Sequence, residues 1–287
     1  KAMKFYRDNL KVYPLETGPR KGRYIDCGHM PGNSLVPEDA SAFRWLHEIV
    51  SYEPADLFDK EQLGRLASLG IEKGKPFAPD ARMQGIFDQA AKQAVAMSRV
   101  ITFASRDPEE KLYKGMSWGT PFIGGNSEFV KNGYRNLEAR TLYHYNAIVI
   151  TPAMAAPMPE GKGSKYSSTY VDENGDFLDG SKTYKLRVPP NVPVREFWSV
   201  TVYDPATRSQ LQTGQPLPSI SSQQNPPANA DGSVDIYFAP EKPDGVAESN
   251  WIQTVAGKGF FPFYRFYGPL KAFNDQTWKP VEIELVK

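Results

Sequence analysis

The sequence predicts an α+β protein: a mixed, largely helical region over residues 1–157, then an antiparallel β-sandwich over residues 158–287. Three observations predict it. Apolar residues recur at three and four positions through Asp80 to Ser105, the period of an α-helix. Two later stretches, FWSVTVYD (Phe197 to Asp204) and GFFPFYRFYGP (Gly259 to Pro269), are almost entirely aromatic and β-branched, as strands favour. The 25 prolines and 23 glycines fall mostly in the second half, between short apolar runs, where turns between strands would stand.

Bulk composition narrows the function classes. At 40% hydrophobic and 23% charged the chain has the balance of a globular protein. A net charge of +1 gives no electrostatic footprint for nucleic acid. No apolar run approaches the roughly 20 residues of a membrane span. Cys27 is the single cysteine, so an intramolecular disulfide is excluded; without neighbouring His or Cys it is no zinc site. The chain begins Lys-Ala-Met-Lys without an initiator Met or a signal segment, which reads as a mature or cut product.

Taken in order, the first 36 residues read as a short helix or turn, then a strand at Gly22 to Gly28, with His29 in the loop that follows. Pro37 opens a helix whose Phe43, Leu46, His47 and Val50 share one face, His47 as a packed residue. A second helix spans Asp59 to Leu69 and stops at Gly70. The lysines and glycines of EKGKP lack the spacing of a phosphate loop. The stripe Met83, Phe87, Ala90, Ala91, Ala94 and Met97 of the long helix predicts close packing on a neighbouring helix. Residues 111–132 read as a long irregular loop with Trp118 and Phe122 on the surface of a core, or as the lining of a cleft. A further helix over Tyr134 to Ile150 carries Tyr143, His144 and Tyr145, which either pack with bonded hydroxyls or line a pocket.

Thr151 to Ser164 is the expected seam between the halves. After it, strands are predicted at Lys165 to Asp172, Thr183 to Val188, Phe197 to Asp204, Ser233 to Pro240, the run through Tyr267, and Val281 to Val286. Asn174-Gly175 predicts a hairpin turn; Asp172, Asn174 and Asp176 echo a calcium loop, but Thr183 stands where its closing glutamate belongs. Residues 216–233 look too polar to be core, with Asp231-Gly232 closing another hairpin.

Several of these stretches resemble a known family. LDGSKTYKLRVPPNVPVREFWSVTVYD, ADGSVDIYF, NWIQTVAGKGFFPFYRFYGP and TWKPVEIE resemble the domain of unknown function 1214. ASLGIEKGKPFAPDARM resembles the C-terminal part of the domain of unknown function 1254. The resemblance implies a bacterial protein, periplasmic or secreted, whose sandwich is of jelly-roll type. It also implies a further N-terminal β-rich portion, supplied as a separate chain or replaced by a second subunit. It carries over no activity and no cofactor.

The candidate site residues are Tyr203, Arg265, Trp251, Asn250 and Tyr145. Arg265 sits in FFPFYRFYG and needs an acceptor, either a structural acid such as Asp204 or the carboxylate or phosphate of a ligand. Ser199, Thr201 and Tyr203 place hydroxyls on one strand face. Asn250 and Trp251 could make a polar rim with an aromatic platform. A serine nucleophile is not expected, there is no metal cluster, and all three histidines precede residue 150. Two functions follow: a non-catalytic β-sandwich module that binds a small or polymeric ligand or assembles as a homo-oligomer, or a hydrolase with its site between the helical region and the sandwich.

Overall fold

A computed structural model describes residues 2–11, 13, 15, 18, 35–147 and 149–286. The strand expected at Gly22 to Gly28, with Cys27, and the loop with His29 lie outside the described residues. The chain forms two compact units, Lys1–Leu35 and Val36–Lys287. In the first, α1 spans Ala2–Asn9.

The second unit begins with helices placed much as their periodicity predicts. They are α2 (Ser41–Tyr52), α3 (Lys60–Ser68) and α4 (Ala81–Phe103). Asp59 and Asp80 cap α3 and α4 by accepting first-turn amide protons, Asp80 from Met83 at 2.7 Å. Such a cap contributes about 1 kcal/mol. Phe87 of α4 stacks on Phe43 of α2 at 4.2 Å, and His47 is a packed residue, stacked on Phe77 with Nε2 2.8 Å from the Lys75 carbonyl. The stripe of α4 is only partly used: Phe87 and Ala91 are buried, while Ala94 and Met97 are exposed. α5 (Leu137–Asn146) starts later than its pattern suggested, because Tyr134 and Arg135 form β2, paired with β1 (Val130–Lys131). The short α6 (Pro152–Ala155) lies in the expected seam.

Eight further strands make two four-stranded sheets. They are β3 (Ser164–Ser168), β4 (Tyr184–Val188), β5 (Val194–Tyr203), β6 (Ser219–Ser221), β7 (Val234–Ala239), β8 (Trp251–Gln253), β9 (Phe261–Pro269) and β10 (Glu284–Leu285). One sheet has the order β3-β9-β5-β6, the other β10-β4-β7-β8; a short helix, α7 (Lys271–Asn274), follows β9. Pairing is antiparallel except for β7 and β8, which run parallel through Tyr237 and Trp251. Alternation sends Trp198, Val200, Val202, Tyr264 and Phe266 of the first sheet, and Leu186, Ile236 and Phe238 of the second, into one core.

Two expectations fail for reasons of long-range pairing. The polar stretch 216–233 contains β6, whose Ile220 is 3% exposed in that core, because one apolar residue on the inner face suffices for a three-residue strand. Asp231-Gly232 makes a turn, but β6 and β7 belong to different sheets, so it closes no hairpin. Asn174-Gly175 does turn the chain tightly, with Gly175 at φ +84° and Val171 bridged to Phe177.

The loop after α4 is core rather than covering. Tyr113 and Trp118 are fully buried in the shared core, and the Trp118 indole donates to the Val281 carbonyl at 2.8 Å. Gly119 adds to the free edge of β3 by exchanging two backbone hydrogen bonds with Ser168. A side chain at 119 would collide with the Glu110 carboxylate, whose Oε1 occupies the place of a Cβ.

Candidate functional site

The C-terminal end of α4 lies against the strand-and-turn region and leaves a chamber there. Its apolar end, about 430 Å³, is walled by Phe103, Tyr170, Phe177, Phe260 and Phe261, with Arg99 and Val100 of α4 alongside. Phe103 meets Tyr170 edge-on at 5.0 Å and Phe261 at 6.0 Å, which fixes the aromatic walls. Phe177 is 60% exposed despite its size, because the tight turn at Asp172–Gly175 carries it away from the core. An adjoining polar end of about 250 Å³ shares Phe103, Ala104, Tyr170 and Phe177 and adds Thr102, Glu110, Lys111 and Ser117.

Glu110 is the unusual group of the polar end. It is 3% exposed; Lys111 Nζ lies 3.0 Å from its Oε2. Burial raises its pKa, against the pull of the Lys111 ammonium. A carboxyl raised on folding contributes most below its ordinary value of 4.5, and that contribution is lost as pH rises through the folded-state value. Glu110→Gln is therefore expected to raise the melting temperature at pH 7. The gain should shrink as pH falls and vanish below 4.5, a comparison that parallel thermal melts would make; an unchanged gap at pH 4 would refute it. Beside it, the Tyr170 hydroxyl is pushed up to about 12 by burial and accepts from the Asn146 amide at 3.2 Å. Ser117 donates its hydroxyl to Glu282, which also accepts the Ser117 amide at 2.7 Å.

A second arrangement occupies the outer face of the β3-β9-β5-β6 sheet. Arg265 stands between Tyr166 of β3 and Ser199 of β5 in register, with Tyr203 four residues along β5 on the same face. Its Nη2 donates to the Tyr203 hydroxyl, and its guanidinium carbon lies 5.5 Å from the Tyr166 ring and 5.7 Å from that of Tyr203. The Nε is buried and has no hydrogen-bond partner among the described residues. Asp204, the acid considered for Arg265, instead holds Lys258 at 3.2 Å. Burial pushes the Tyr203 hydroxyl up, opposed by the Arg265 charge. Thr201 and Ser219 continue the hydroxyl face, 2.9 Å apart.

The other sequence candidates stand elsewhere. The Asn250 amide donates to the Pro227 and Asp235 carbonyls at 3.0 and 2.8 Å, and the Trp251 indole to Ala239 at 3.0 Å, all beside β7 of the second sheet. Tyr145 packs edge-on against Phe103 and under the Arg208 guanidinium, 4.1 Å from its ring centre, with Glu38 accepting from both. Tyr143 is a core residue whose hydroxyl donates to the Val149 carbonyl at 2.9 Å. Sequence reasoning passed over Thr102, Glu110 and Tyr170. Nothing local in the charged run RDPEE, Arg106 to Glu110, says that its last acid turns inward.

Among the described residues no group of three or more His, Cys, Asp or Glu could hold a metal ion, and no helix is long and apolar enough to cross a membrane. Residues 163–271 match the family described as Protein of unknown function (DUF1214). Among curated proteins none matches the chain. Solved structures similar to the chain include two of uncharacterised proteins. The VPA0106 protein from Vibrio parahaemolyticus is 22% identical with a TM-score of 0.40, over 94% of this chain and 59% of that one. An uncharacterized protein from Burkholderia cenocepacia is 12% identical with a TM-score of 0.35, over 86% of this chain and 50% of that one. The chain thus spans between half and three-fifths of their lengths.

Proposed function

Starting from the family match over residues 163–271, we propose that the chain is a non-catalytic binding module whose two-sheet domain holds an anionic ligand at Arg265. The observation that carries this is the guanidinium itself. It faces hydroxyls and aromatic rings, pairs with no carboxylate among the described residues, and keeps a buried Nε without a partner. A guanidinium cannot shed its charge, so a ligand carboxylate or phosphate is its natural complement. The Tyr166 and Tyr203 hydroxyls and Ser199 would then orient that anion. Within this reading the sandwich is of jelly-roll type, supported by the repeated passage of the chain from one sheet to the other.

The hydrolase alternative has in its favour the Ser117 hydroxyl bonded to Glu282, within a Gly115-x-Ser117-x-Gly119 run that lies in a loop and not on a strand-to-helix turn. The same carboxylate accepts the Ser117 amide and Ser117 also meets Thr169 at 2.7 Å, which fits a clamp on the loop better than an open nucleophile.

The test is a thermal-shift and calorimetry panel of small carboxylates and inorganic phosphate. Anything that binds only the folded state raises the melting temperature by mass action. One anion class is expected to raise it for the wild type. Arg265→Ala is expected to fold normally and to bind that anion about tenfold to a hundredfold more weakly, the worth of one charge-assisted hydrogen bond. Silence from every anion, or an Arg265→Ala chain that fails to fold, would sink the proposal.

A further inference from the structure

The outer face around Arg265 has a charge and a composition that narrow the anion it can take. From Phe261 to Tyr267, alternate residues of β9 face outward, together with their partners on β3 and β5 and, through β5, on β6. Every one of those partners is aromatic, serine or threonine, so Arg265 carries the only charge among them. Arg265, Tyr166, Phe263 and Tyr267 are half-buried, and each keeps surface open to solvent. The guanidinium reaches Tyr203 through Nη2 and its Nε is enclosed, whereas Nη1 has no hydrogen-bond partner among the described residues and is not enclosed. The Tyr166 hydroxyl accepts from Ser164 at 3.0 Å, which leaves its own proton to donate. Burial raises the Tyr203 hydroxyl first, and the neighbouring Tyr267 and Tyr166 hydroxyls add to the rise. Three tyrosine hydroxyls thus gather round one cation. Phe263 stands edge-on to both tyrosines that flank the guanidinium, 5.2 Å from the Tyr203 ring and 6.4 Å from that of Tyr166.

We infer that the ligand of this face is an aromatic monocarboxylate, its carboxylate held by Arg265 Nη1 and the Tyr166 hydroxyl and its ring against Phe263. The inference rests on the reading of Arg265 as an anion site and names the class of anion. One guanidinium balances one negative charge. A phosphate monoester would bring nearly two, and the excess would stand on a partly desolvated aromatic face with no second cation to meet it. A carboxylate instead accepts from a guanidinium and a phenol at once, through its two oxygens. The ring follows from the neighbours of the cation. Aromatic rings attract one another edge to face beyond the surface they bury, so a ligand ring gains on Phe263 what a saturated body of the same size does not.

The experiment is calorimetry of the full chain at neutral pH with benzoate and three probes that each change one property. Acetate lacks the ring, cyclohexanecarboxylate lacks its π-face, and phenyl phosphate carries nearly twice the charge. Benzoate is expected to bind at least tenfold tighter than acetate and phenyl phosphate, and about threefold to tenfold tighter than cyclohexanecarboxylate. Phe263→Leu stays apolar and should lose about threefold to tenfold for benzoate while leaving acetate unchanged. Tyr166→Phe keeps the ring and removes the hydroxyl, so benzoate and acetate should both weaken about tenfold; it stands as the test if Phe263→Leu does not fold. Acetate or phenyl phosphate binding through Arg265 as tightly as benzoate would overturn this inference and leave the anion site standing. Equal affinity for cyclohexanecarboxylate and benzoate, or wild-type benzoate affinity in Phe263→Leu or Tyr166→Phe, would overturn it in the same way. No binding by any of these probes or by inorganic phosphate would overturn both readings.

Discussion

Trp118→Ala should cost about 3–5 kcal/mol, the largest loss expected of any single truncation in this chain. The indole is fully buried in the core shared by the two sheets, meets Tyr264 edge-on at 6.0 Å, and donates to the Val281 carbonyl at 2.8 Å. Removing it opens a cavity and leaves that carbonyl without its side-chain donor. The loop would suffer next, because the Leu112 amide donates to the Trp118 carbonyl and Gly119 pairs with Ser168. Trp118→Phe should recover most of the packing and forfeit only the indole hydrogen bond, about 1 kcal/mol. Urea denaturation of both variants checks the order; a Trp118→Ala loss under 1 kcal/mol would return this residue to the surface role its loop suggested.

Gly180→Ala is expected to cost about 3 kcal/mol, the upper end for overpacking a rigid site. A Cβ there would collide with the Val255 carbonyl oxygen and stand 2.8 Å from that of Lys258. Both obstacles are backbone, so no rotamer change relieves the clash. The same glycine donates its amide to Lys258 at 2.8 Å, and its carbonyl accepts from the buried Thr254 hydroxyl at 2.8 Å. The turn 254–258 would have to lift, and Gly259 to Phe261, which wall the apolar chamber, would move with it. Hydrogen exchange should show faster exchange of the Gly180 amide along with the lower stability. A variant as stable and as protected as the wild type would refute the clash.

Arg265 and Glu110 mark the two ends of what could be read without coordinates. Arg265 was legible because it interrupts an aromatic strand at a position whose period puts it on a definite face, and a guanidinium there demands an acceptor. Its lack of an acid was not legible, since Asp204 is adjacent in sequence to Tyr203 yet holds Lys258 instead. Glu110 looked like one more charge in RDPEE. Only the packing of Gly119 against it, and of the α4 end beside it, makes it a buried carboxyl.

What the sequence by itself determined is the local structure. The apolar period, Asp59 and Asp80 as caps, Gly70 as a stop and Asn174-Gly175 as a turn each act over a few residues, and the helices and strands formed where those signals lie. The tertiary structure alone decided the sheet partners. It set β8 parallel to β7, brought Ile220 of a polar stretch into the core, buried Trp118, and enclosed a chamber between α4 and residues more than sixty positions away. Those outcomes depend on contacts between residues distant in the chain, whose energies are set by burial and by which polar groups find partners, and neither quantity is written in any local pattern.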